Sequence, residues 1–576
     1  MKRWLIDKGG AIALAVTAVY IALAPSWIVD GDNAEFATLS VTGGRAHPSG
    51  YPLYVLWLRM TSWLPGGTVA HTAAIATALL AGAQIAVLHA ACRAWGARSV
   101  AATAAVGIYA VAPIALRMHT EAEVFALNGL VVATIAWLSA TAGPLRGMAR
   151  AVALGLIAGL GLANHMTCAL VAPIGILGVV RGARESRRPV LAIVATIGAF
   201  AIGLAPYLYE VLAPDETSWG RIDSAGDLVA LILRYDYGGP GSFATHSRGV
   251  DVAANLEAFA ITVGRAWCWL FAIAGVITLG WRAVRTSTGE TRVACILLAA
   301  SWLAAGPLLA ARFNIPPQGL GLYVVQRFHL LPITILAIPV AVAFDVVARR
   351  ARVQVSAATS LTAIAAVIAT VCAVSLPRLL GEHSRAMEAG VRNALEAFPE
   401  RAIVLVGSEE QCLGMRYLQL AEHDRTDVDV VCWPLISRAW YVDPIVARGV
   451  PLGVQTGEPA SPQDADRLLA TGRPLFVDEA QSAIVTAFPN YPEGVFFRVL
   501  SRDRHAPPIH AVITENRAIY ERFDLSSHPG VGDDYATIAF LRYRYIWRTL
   551  AAAADVAGNP DDAAFAHAMV DELTPR

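Results

Sequence analysis

Long apolar stretches alternate with short polar segments over the first two thirds of the chain. A membrane-spanning helix needs about 20 mostly apolar residues. Such stretches predict spans near 9–29, 70–92, 99–116, 122–141, 189–212, 256–280, 293–311, 328–348 and 355–377. Residues 151–180 hold two shorter apolar runs divided by Asn164 and His165, which predicts a tight or partly re-entrant helical pair. The pattern therefore predicts a polytopic α-helical membrane domain over residues 1–377, with about eleven spans.

Residues 378–576 have ordinary charge and turn content and contain no apolar run of span length. Short apolar runs predict strands at 402–406, 428–432, 474–477 and 495–500, with helical segments at 411–422, 435–447 and 534–557. This alternation is typical of a small α/β domain with a mainly parallel sheet. The first strand is followed by Glu409 and Glu410 rather than a glycine-rich loop, so nucleotide binding is not expected.

The composition narrows the class of protein. Of the 576 residues 56% are hydrophobic and 16% are charged, and the net charge is zero; soluble domains have about 25% charged residues. These values exclude a disordered chain, a nucleic-acid-binding protein and a simple cytosolic enzyme. The seven cysteines form no CxxC pair, so a structural zinc or iron–sulfur site is not expected. The expected environment is the lipid bilayer.

The arginine distribution predicts the orientation. With a cytoplasmic N-terminus and two crossings over 151–180, the arginine-rich loops fall on the cytoplasmic side, as the positive-inside rule requires. A single crossing there would place the cluster Arg181–Arg188 outside. We therefore expect a multi-pass protein of a bacterial plasma (inner) membrane, with residues 378–576 forming an extracytoplasmic domain.

In this topology the conspicuous polar residues gather at the outer membrane boundary. They come from four external segments, at 30–54, 117–123, 164–165 and 312–329, the last with Arg312, Tyr323, Gln326, Arg327 and His329. Such a position favours an enzyme with one substrate in the lipid and one in water, because arginine or histidine can bind a lipid phosphate and a carboxylate can act as base. A transporter or flippase of a lipid-linked saccharide is the alternative, although transporters usually hold ionisable groups near the midplane. An envelope-assembly scaffold is a third hypothesis.

Four short segments carry a family resemblance. The segments 31–36 (GDNAEF) and 47–54 (HPSGYPLY), followed by 121–128 (EAEVFALN) and 159–165 (GLGLANH), resemble the N-terminal signature of a membrane family that was first catalogued as a domain of unknown function. That family includes a transmembrane protein O-mannosyltransferase of the vertebrate secretory pathway, and it resembles the GT-C glycosyltransferases. Ser49 replaces the usual second proline, and Asn33 with Ala34 alters the turn before Glu35.

The resemblance implies a function. GT-C enzymes move a sugar from a polyprenyl-phosphate donor to an acceptor hydroxyl, with a carboxylate of the first external loop as general base and with no obligatory metal or other cofactor. It implies Asp32 as the base and Glu35 as a second catalytic carboxylate. It also implies donor-phosphate or substrate contacts from His47, Tyr51, Arg117, His119, Glu121, Glu123, Asn164 and His165. Mannose is one candidate for the sugar, and the acceptor would be a protein or a glycan.

Ordinary structural roles compete with these assignments. Asp32 follows a span and would suit an N-cap, and Glu35 would suit the first turn of a helix. Tyr51 would suit the aromatic belt of the membrane interface. Glu121 and Glu123 are two residues apart and cannot share a helical face. We therefore expect one of them to point to the site and the other to solvent or a helix end.

Overall fold

The computed structural model describes residues 8–239, 249–285, 289–350, 357–454, 460–532 and 534–576. Residues Lys2, Arg3 and Arg352, which entered the prediction of orientation, lie outside these ranges. Up to residue 382 the described chain is helical, with α1 Lys8–Leu23, α2 Gly31–Thr42, α3 Pro52–Thr61, α4 Val69–Ala94, α5 Ser99–Ala110, α6 Pro113–Thr120, α7 Phe125–Ser139, α8 Gly147–Leu162, α9 Ala172–Glu185, α10 Pro189–Gly203, α11 Tyr207–Leu212, α12 Ala225–Ile232, α13 Val252–Ala266, α14 Leu270–Arg285, α15 Gly289–Leu303, α16 Leu320–Arg350 and α17 Ala357–Glu382.

Six helical segments of the described chain are long and apolar enough to cross a membrane. They are Val69–Ala94, Met166–Glu185, Pro189–Leu212, Gly289–Leu308, Leu320–Arg350 and Ala365–Ala397. Two bent pairs, α5 with α6 (71°) and α13 with α14 (105°), raise the number to eight if each is one span. Three shorter apolar helices, Gly9–Leu23, Phe125–Ser139 and Gly147–Leu162, fall below this length. The chain is therefore a multi-pass membrane protein, and the count of eleven stays a prediction.

The remainder of the chain carries a five-stranded sheet. Its strands are β1 Ile403–Val406, β2 Asp429–Cys432, β3 Leu475–Val477, β4 Asn490–Glu493 and β5 Phe496–Val499. Around it lie α18 Ala386–Ala397, α19 Glu409–Ala421, α20 Ala439–Ala447, α21 Pro462–Leu469, α22 Ser482–Ala487, α23 Ile509–Tyr520, α24 Tyr535–Ala557 and α25 Pro560–Glu572.

The sheet has the order β2-β1-β3-β5-β4. β1 pairs in parallel with β2 and β3, whereas β5 pairs antiparallel with β3 and β4. The sheet is therefore mixed, and the expectation of a mainly parallel sheet was wrong in its second half. β4 has no counterpart among the predicted strands. It contains Pro492 and lies at the edge of the sheet, where a proline is tolerated.

Helix α19 packs directly on α2, which joins the sheet region to the helical region. Gly31 makes this close approach possible, because a Cβ there would lie 3.3 Å from Leu413 Cδ1 and 3.6 Å from Glu409 Cγ. Two hydrogen bonds reinforce the junction: Trp27 Nε1 donates to the His383 carbonyl (2.8 Å) and the Ile28 amide donates to Glu388 Oε2 (3.0 Å). The N-terminal end of α19 therefore lies against the segment that carries the first polar motif.

Candidate functional site

A cavity of about 370 Å³ lies where the helical region meets α19 and α24. Both regions contribute to its wall. The lining residues are Asp30, Gly31, Asp32, Phe36, His47, Tyr51, Glu123, Val124, Phe125, His165, Arg234, Tyr237, Ile315, Tyr323, Val324, Arg327, Phe328, Glu409 and Tyr535. We refer to this space as the carboxylate cavity, because it collects four carboxylates from separate parts of the chain.

The first two carboxylates come from the start of α2. Asp30 is the N-cap of this helix, and its Oδ1 accepts a hydrogen bond from the Asn33 amide at 2.7 Å. Its Oδ2 accepts from the Tyr323 hydroxyl at 3.3 Å. Asp32 lies one position inside the helix and is half-buried. The capping role considered for Asp32 therefore belongs to Asp30, and the side chain of Asp32 is left for the cavity.

Arg327 of α16 joins two of the carboxylates. Its Nη1 donates to Asp32 Oδ2 and, at 2.8 Å, to Glu123 Oε1. Glu123 lies in the extended turn after α6 and is 1% exposed, so its contact with Arg327 is largely shielded from solvent. A buried cluster of this kind fixes the positions of its members, because a displaced member would leave a buried charge with less compensation.

The carboxylates differ in ionisation. Burial opposes the ionisation of Asp32, but the charges of Arg327 and His47 outweigh it and lower its pKa. Burial and the neighbouring charge of Asp32 raise the pKa of Asp30. Burial also raises the pKa of Glu123 to about 8, against the opposing charge of Arg327. Asp32 is therefore the member of this group whose ionised form its surroundings favour.

His47 holds a positive charge beside Asp32. Burial disfavours that charge, but Tyr51, Glu35 and Asp32 raise the pKa of His47 well above its usual range. Its Nδ1 pairs with Glu35 Oε2 and lies 3.9 Å from Asp32 Oδ1, and its amide donates to Glu35 Oε1 at 3.0 Å. Glu35 is absent from the cavity lining. The geometry gives it the role of orienting His47.

Hydrogen bonds from Arg45 fix the loop that carries His47. Arg45 is 1% exposed and donates to the carbonyls of Glu210 (2.8 Å), Ala213 (3.1 Å) and Gly220 (3.0 Å). Gly50 follows with φ +89°, and a Cβ there would lie 2.5 Å from Glu210 Oε1. Only glycine fits this position, because both the backbone angle and the space exclude a side chain. The loop is thereby held against α11.

His165 and Tyr51 form an aromatic wall. Their rings stack with centroids 5.7 Å apart. Burial lowers the pKa of His165 to about 3, with Arg234 next in effect. Its Nδ1 accepts hydrogen bonds from the Thr167 amide (3.2 Å) and hydroxyl (2.8 Å), which leaves the proton on Nε2. His165 is therefore a neutral donor.

Two later segments complete the cavity. Arg234 has a buried Nε with no hydrogen-bond partner among the described residues, and its guanidinium lies 5.1 Å from the centre of the Tyr237 ring. From the sheet region come Glu409, which is exposed to the cavity at the start of α19, and Tyr535, whose ring meets Tyr323 edge-on at 5.5 Å. Desolvation, strengthened by the charge of Asp32, raises the pKa of Glu409 to about 7.

Four residues predicted to contact substrate lie outside the lining of this cavity. Arg117 is buried behind it, with its guanidinium 4.0 Å from the centre of the Tyr323 ring. His119 is enclosed beside Tyr20, 3.1 Å from that hydroxyl. Asn164 donates to the Val124 carbonyl at 3.3 Å. These side chains support the wall.

Glu121 is the fourth of these residues. It is fully buried and lies 3.3 Å from His383 Nε2. We expected one of Glu121 and Glu123 to face the site and the other to face solvent or a helix end. Glu121 lies at the end of α6 and does not face solvent. Of the predicted residues, the cavity brings together Asp32, His47, Tyr51, Glu123 and His165.

The ligand atoms of Asp32, Glu35 and His47 lie within 4.8 Å of one another, a spacing that a metal ion could use. All three groups already have partners, because His47 Nδ1 pairs with Glu35 and Asp32 pairs with Arg327. A metal ion would have to displace both contacts. The predicted independence from metal stays a prediction.

Known proteins match this chain in the region that contains the sequence motifs. Residues 32–187 match the family model of the protein O-mannosyl-transferase TMEM260 N-terminal domain. Protein O-mannosyl-transferase TMEM260 of Mus musculus is 24% identical over 463 residues, which cover 77% of this chain and 64% of the mouse protein. The chain therefore spans less than two thirds of that relative. The predicted resemblance to the O-mannosyltransferase family is confirmed.

Two solved structures are similar in outline. ArnT from Cupriavidus metallidurans bound to undecaprenyl phosphate is 14% identical with a TM-score of 0.49, over 86% of this chain and 98% of ArnT. The oligosaccharyltransferase AglB from Archaeoglobus fulgidus, in complex with an inhibitory peptide and a dolichol-phosphate, is 12% identical with a TM-score of 0.44, over 86% of this chain and 74% of AglB.

Proposed function

We propose that the chain is a membrane glycosyltransferase of the GT-C type, which moves a sugar from a polyprenyl-phosphate donor to an acceptor hydroxyl. The observation that carries the proposal is the carboxylate cavity itself. It combines an ionised carboxylate, Asp32, with the cations Arg327, His47 and Arg234 at one end of the apolar helices. The sequence relationship to a protein O-mannosyl-transferase supports the same chemistry and makes mannose one candidate sugar.

In this proposal Asp32 is the general base. It accepts the proton of the acceptor hydroxyl as that oxygen attacks the anomeric carbon and the bond to the phosphate oxygen breaks. The phosphate leaves with the bonding electrons and is a good leaving group, so no general acid is required. Arg234 suits the phosphate, because its Nε lacks a partner among the described residues and an arginine can bind a phosphate with two parallel hydrogen bonds.

The other residues position these groups. His47 contributes positive charge beside Asp32 and is itself oriented by Glu35. His165 offers its Nε2 proton as a neutral hydrogen-bond donor to a sugar hydroxyl. Glu409 and Tyr535 close the cavity on the side of the sheet region, where a protein or glycan acceptor would approach. We propose that this side is extracytoplasmic and that the membrane is a bacterial plasma membrane.

The experiment is a transfer assay in membranes with a radiolabelled polyprenyl-phosphate sugar. The variant Asp32→Asn keeps the shape of the side chain and removes its charge. We expect a loss of about 10²–10⁴-fold in rate, the usual contribution of a general base. Asp223→Asn is the matched control, because Asp223 pairs with Arg221 on an exposed loop.

Unchanged transfer by Asp32→Asn would refute the role of the base. If the wild-type protein transfers no lipid-linked sugar but moves one across the bilayer, the flippase hypothesis replaces the enzyme. Equal expression and a monodisperse elution profile of both variants are required for the comparison.

A further inference from the structure

A second polar cavity lies on the other side of Tyr323. It has a volume of about 330 Å³, and a smaller extension reaches Arg117. Tyr323 lines both this space and the carboxylate cavity and forms the partition between them. Its charged lining residues are Arg117, Arg265, Arg378, Glu382 and Asp534. We call it the arginine cleft.

Charge is the first argument. Three guanidiniums, of Arg117, Arg265 and Arg378, face two carboxylates, of Glu382 and Asp534. Glu382 accepts a hydrogen bond from Arg378 at 2.8 Å and lies 4.0 Å from Arg117, so it neutralises less than the two arginines supply. Arg265 is exposed and has no ion pair among the described residues, whose side chains give the cleft three positive and two negative charges.

Unused hydrogen-bonding capacity is the second argument. The buried Nε of Arg117 has no hydrogen-bond partner among the described residues. Gln326, which also lines the cleft, is 6% exposed. Buried polar groups without partners are costly, and they mark a place where a ligand can supply the missing bonds. An anion with several oxygen atoms would satisfy Gln326 and Arg265 together.

The surroundings indicate a lipid. Val374 and Leu380 on α17 and Val531 beside the cleft are exposed apolar side chains, Val531 by 81%. Arg265 ends α13, close to the 105° bend, and Arg378 lies near the end of α17. A cationic cleft with apolar rims at the end of membrane helices matches a lipid whose phosphate enters while its chains stay outside.

We propose that the arginine cleft binds the phosphate of an anionic membrane lipid. Arg265, Arg378 and Gln326 are its ligands, and Glu382 holds Arg378 in place. The site is separate from the carboxylate cavity, from which Tyr323 divides it. Its assignment does not depend on glycosyl transfer, because binding alone defines it.

The test uses the full chain in nanodiscs of phosphatidylcholine, with phosphatidylglycerol added as the probe and native mass spectrometry as the readout. We expect selective retention of phosphatidylglycerol by the wild-type protein. Arg265→Gln and Arg378→Gln should each weaken it about fivefold and together about thirtyfold, because one interfacial arginine contributes about that much. Arg312→Gln is the matched control, since Arg312 is exposed and does not line the cleft.

Equal retention of phosphatidylglycerol by the wild-type and double-variant proteins would overturn the proposal. So would inorganic phosphate that competes as strongly as the lipid, because the site would then serve a free anion. Displacement by undecaprenyl phosphate, sensitive to the same two variants, would support a lipid-phosphate site and identify the carrier lipid as its occupant. Both variants change exposed side chains, and unaltered melting curves separate a binding defect from misfolding.

Discussion

The ionisation of Glu409 predicts a specific pH dependence of donor binding. This carboxyl has a pKa of about 7 and borders the cavity in which the donor phosphate would lie. It is neutral below that pH and negatively charged above it. Since a sugar phosphodiester keeps one negative charge throughout this range, binding should weaken as Glu409 loses its proton.

The size of the effect follows from this pKa. Two like charges about 6 Å apart repel by roughly 3 kcal/mol at an effective dielectric constant of about 20, so the ionised form binds donor about a hundredfold less well. Binding then follows the neutral fraction, and KM for the donor should rise about tenfold between pH 6 and pH 8. Glu123, with a pKa of about 8, adds no more than about twofold by pH 8.

The assay measures KM for the lipid donor from pH 6 to pH 8 in detergent or nanodiscs. Glu409→Gln imitates the neutral carboxyl and should keep KM within about twofold across this range. Glu410→Gln is the matched control, because Glu410 turns away to Arg542 at 3.0 Å. A tenfold rise that persists in Glu409→Gln would refute the reasoning and assign the titration to another group.

Two further predictions concern the loop of His47 and the orientation of the chain. Arg45→Met should lower the free energy of unfolding by about 3 kcal/mol or more, since three carbonyls lose a charged donor. Fluorescence-detected gel filtration after heating measures the loss of stability. Arg221→Met is the control and should behave as wild type, because Arg221 forms an exposed ion pair. In intact cells, a cysteine at position 223 should react with an impermeant thiol reagent, and one at position 187 should not, in a background without the exposed Cys268. The reverse labelling would contradict the predicted topology.

The sequence predicted those site residues that lie in contiguous motifs. Asp32, His47, Tyr51, Glu123 and His165 line one cavity, and each lies in a polar segment that borders a predicted span. The length of an apolar run locates the ends of a span well, because the thickness of the bilayer sets the length of the span.

Contacts between distant elements could not be predicted in this way. Glu409 was interpreted only as a charge that would exclude nucleotides, because the sequence around it carries no signal that α19 packs on α2. Arg312 and Arg327 look alike in the sequence, and only the packing of α16 selects Arg327 as the partner of Asp32. His119 precedes the motif that contains Glu123, yet it lies within α6 and contacts Tyr20 in the interior.

The late position of Glu409 and Tyr535 in the chain has a consequence for biosynthesis. The helices that carry Asp32, His47 and Arg327 enter the membrane before these two residues are translated. Until α19 and α24 dock, the cavity lacks the wall that they supply. A nascent or truncated chain that lacks these two helices would therefore leave the charged groups of the cavity open on that side.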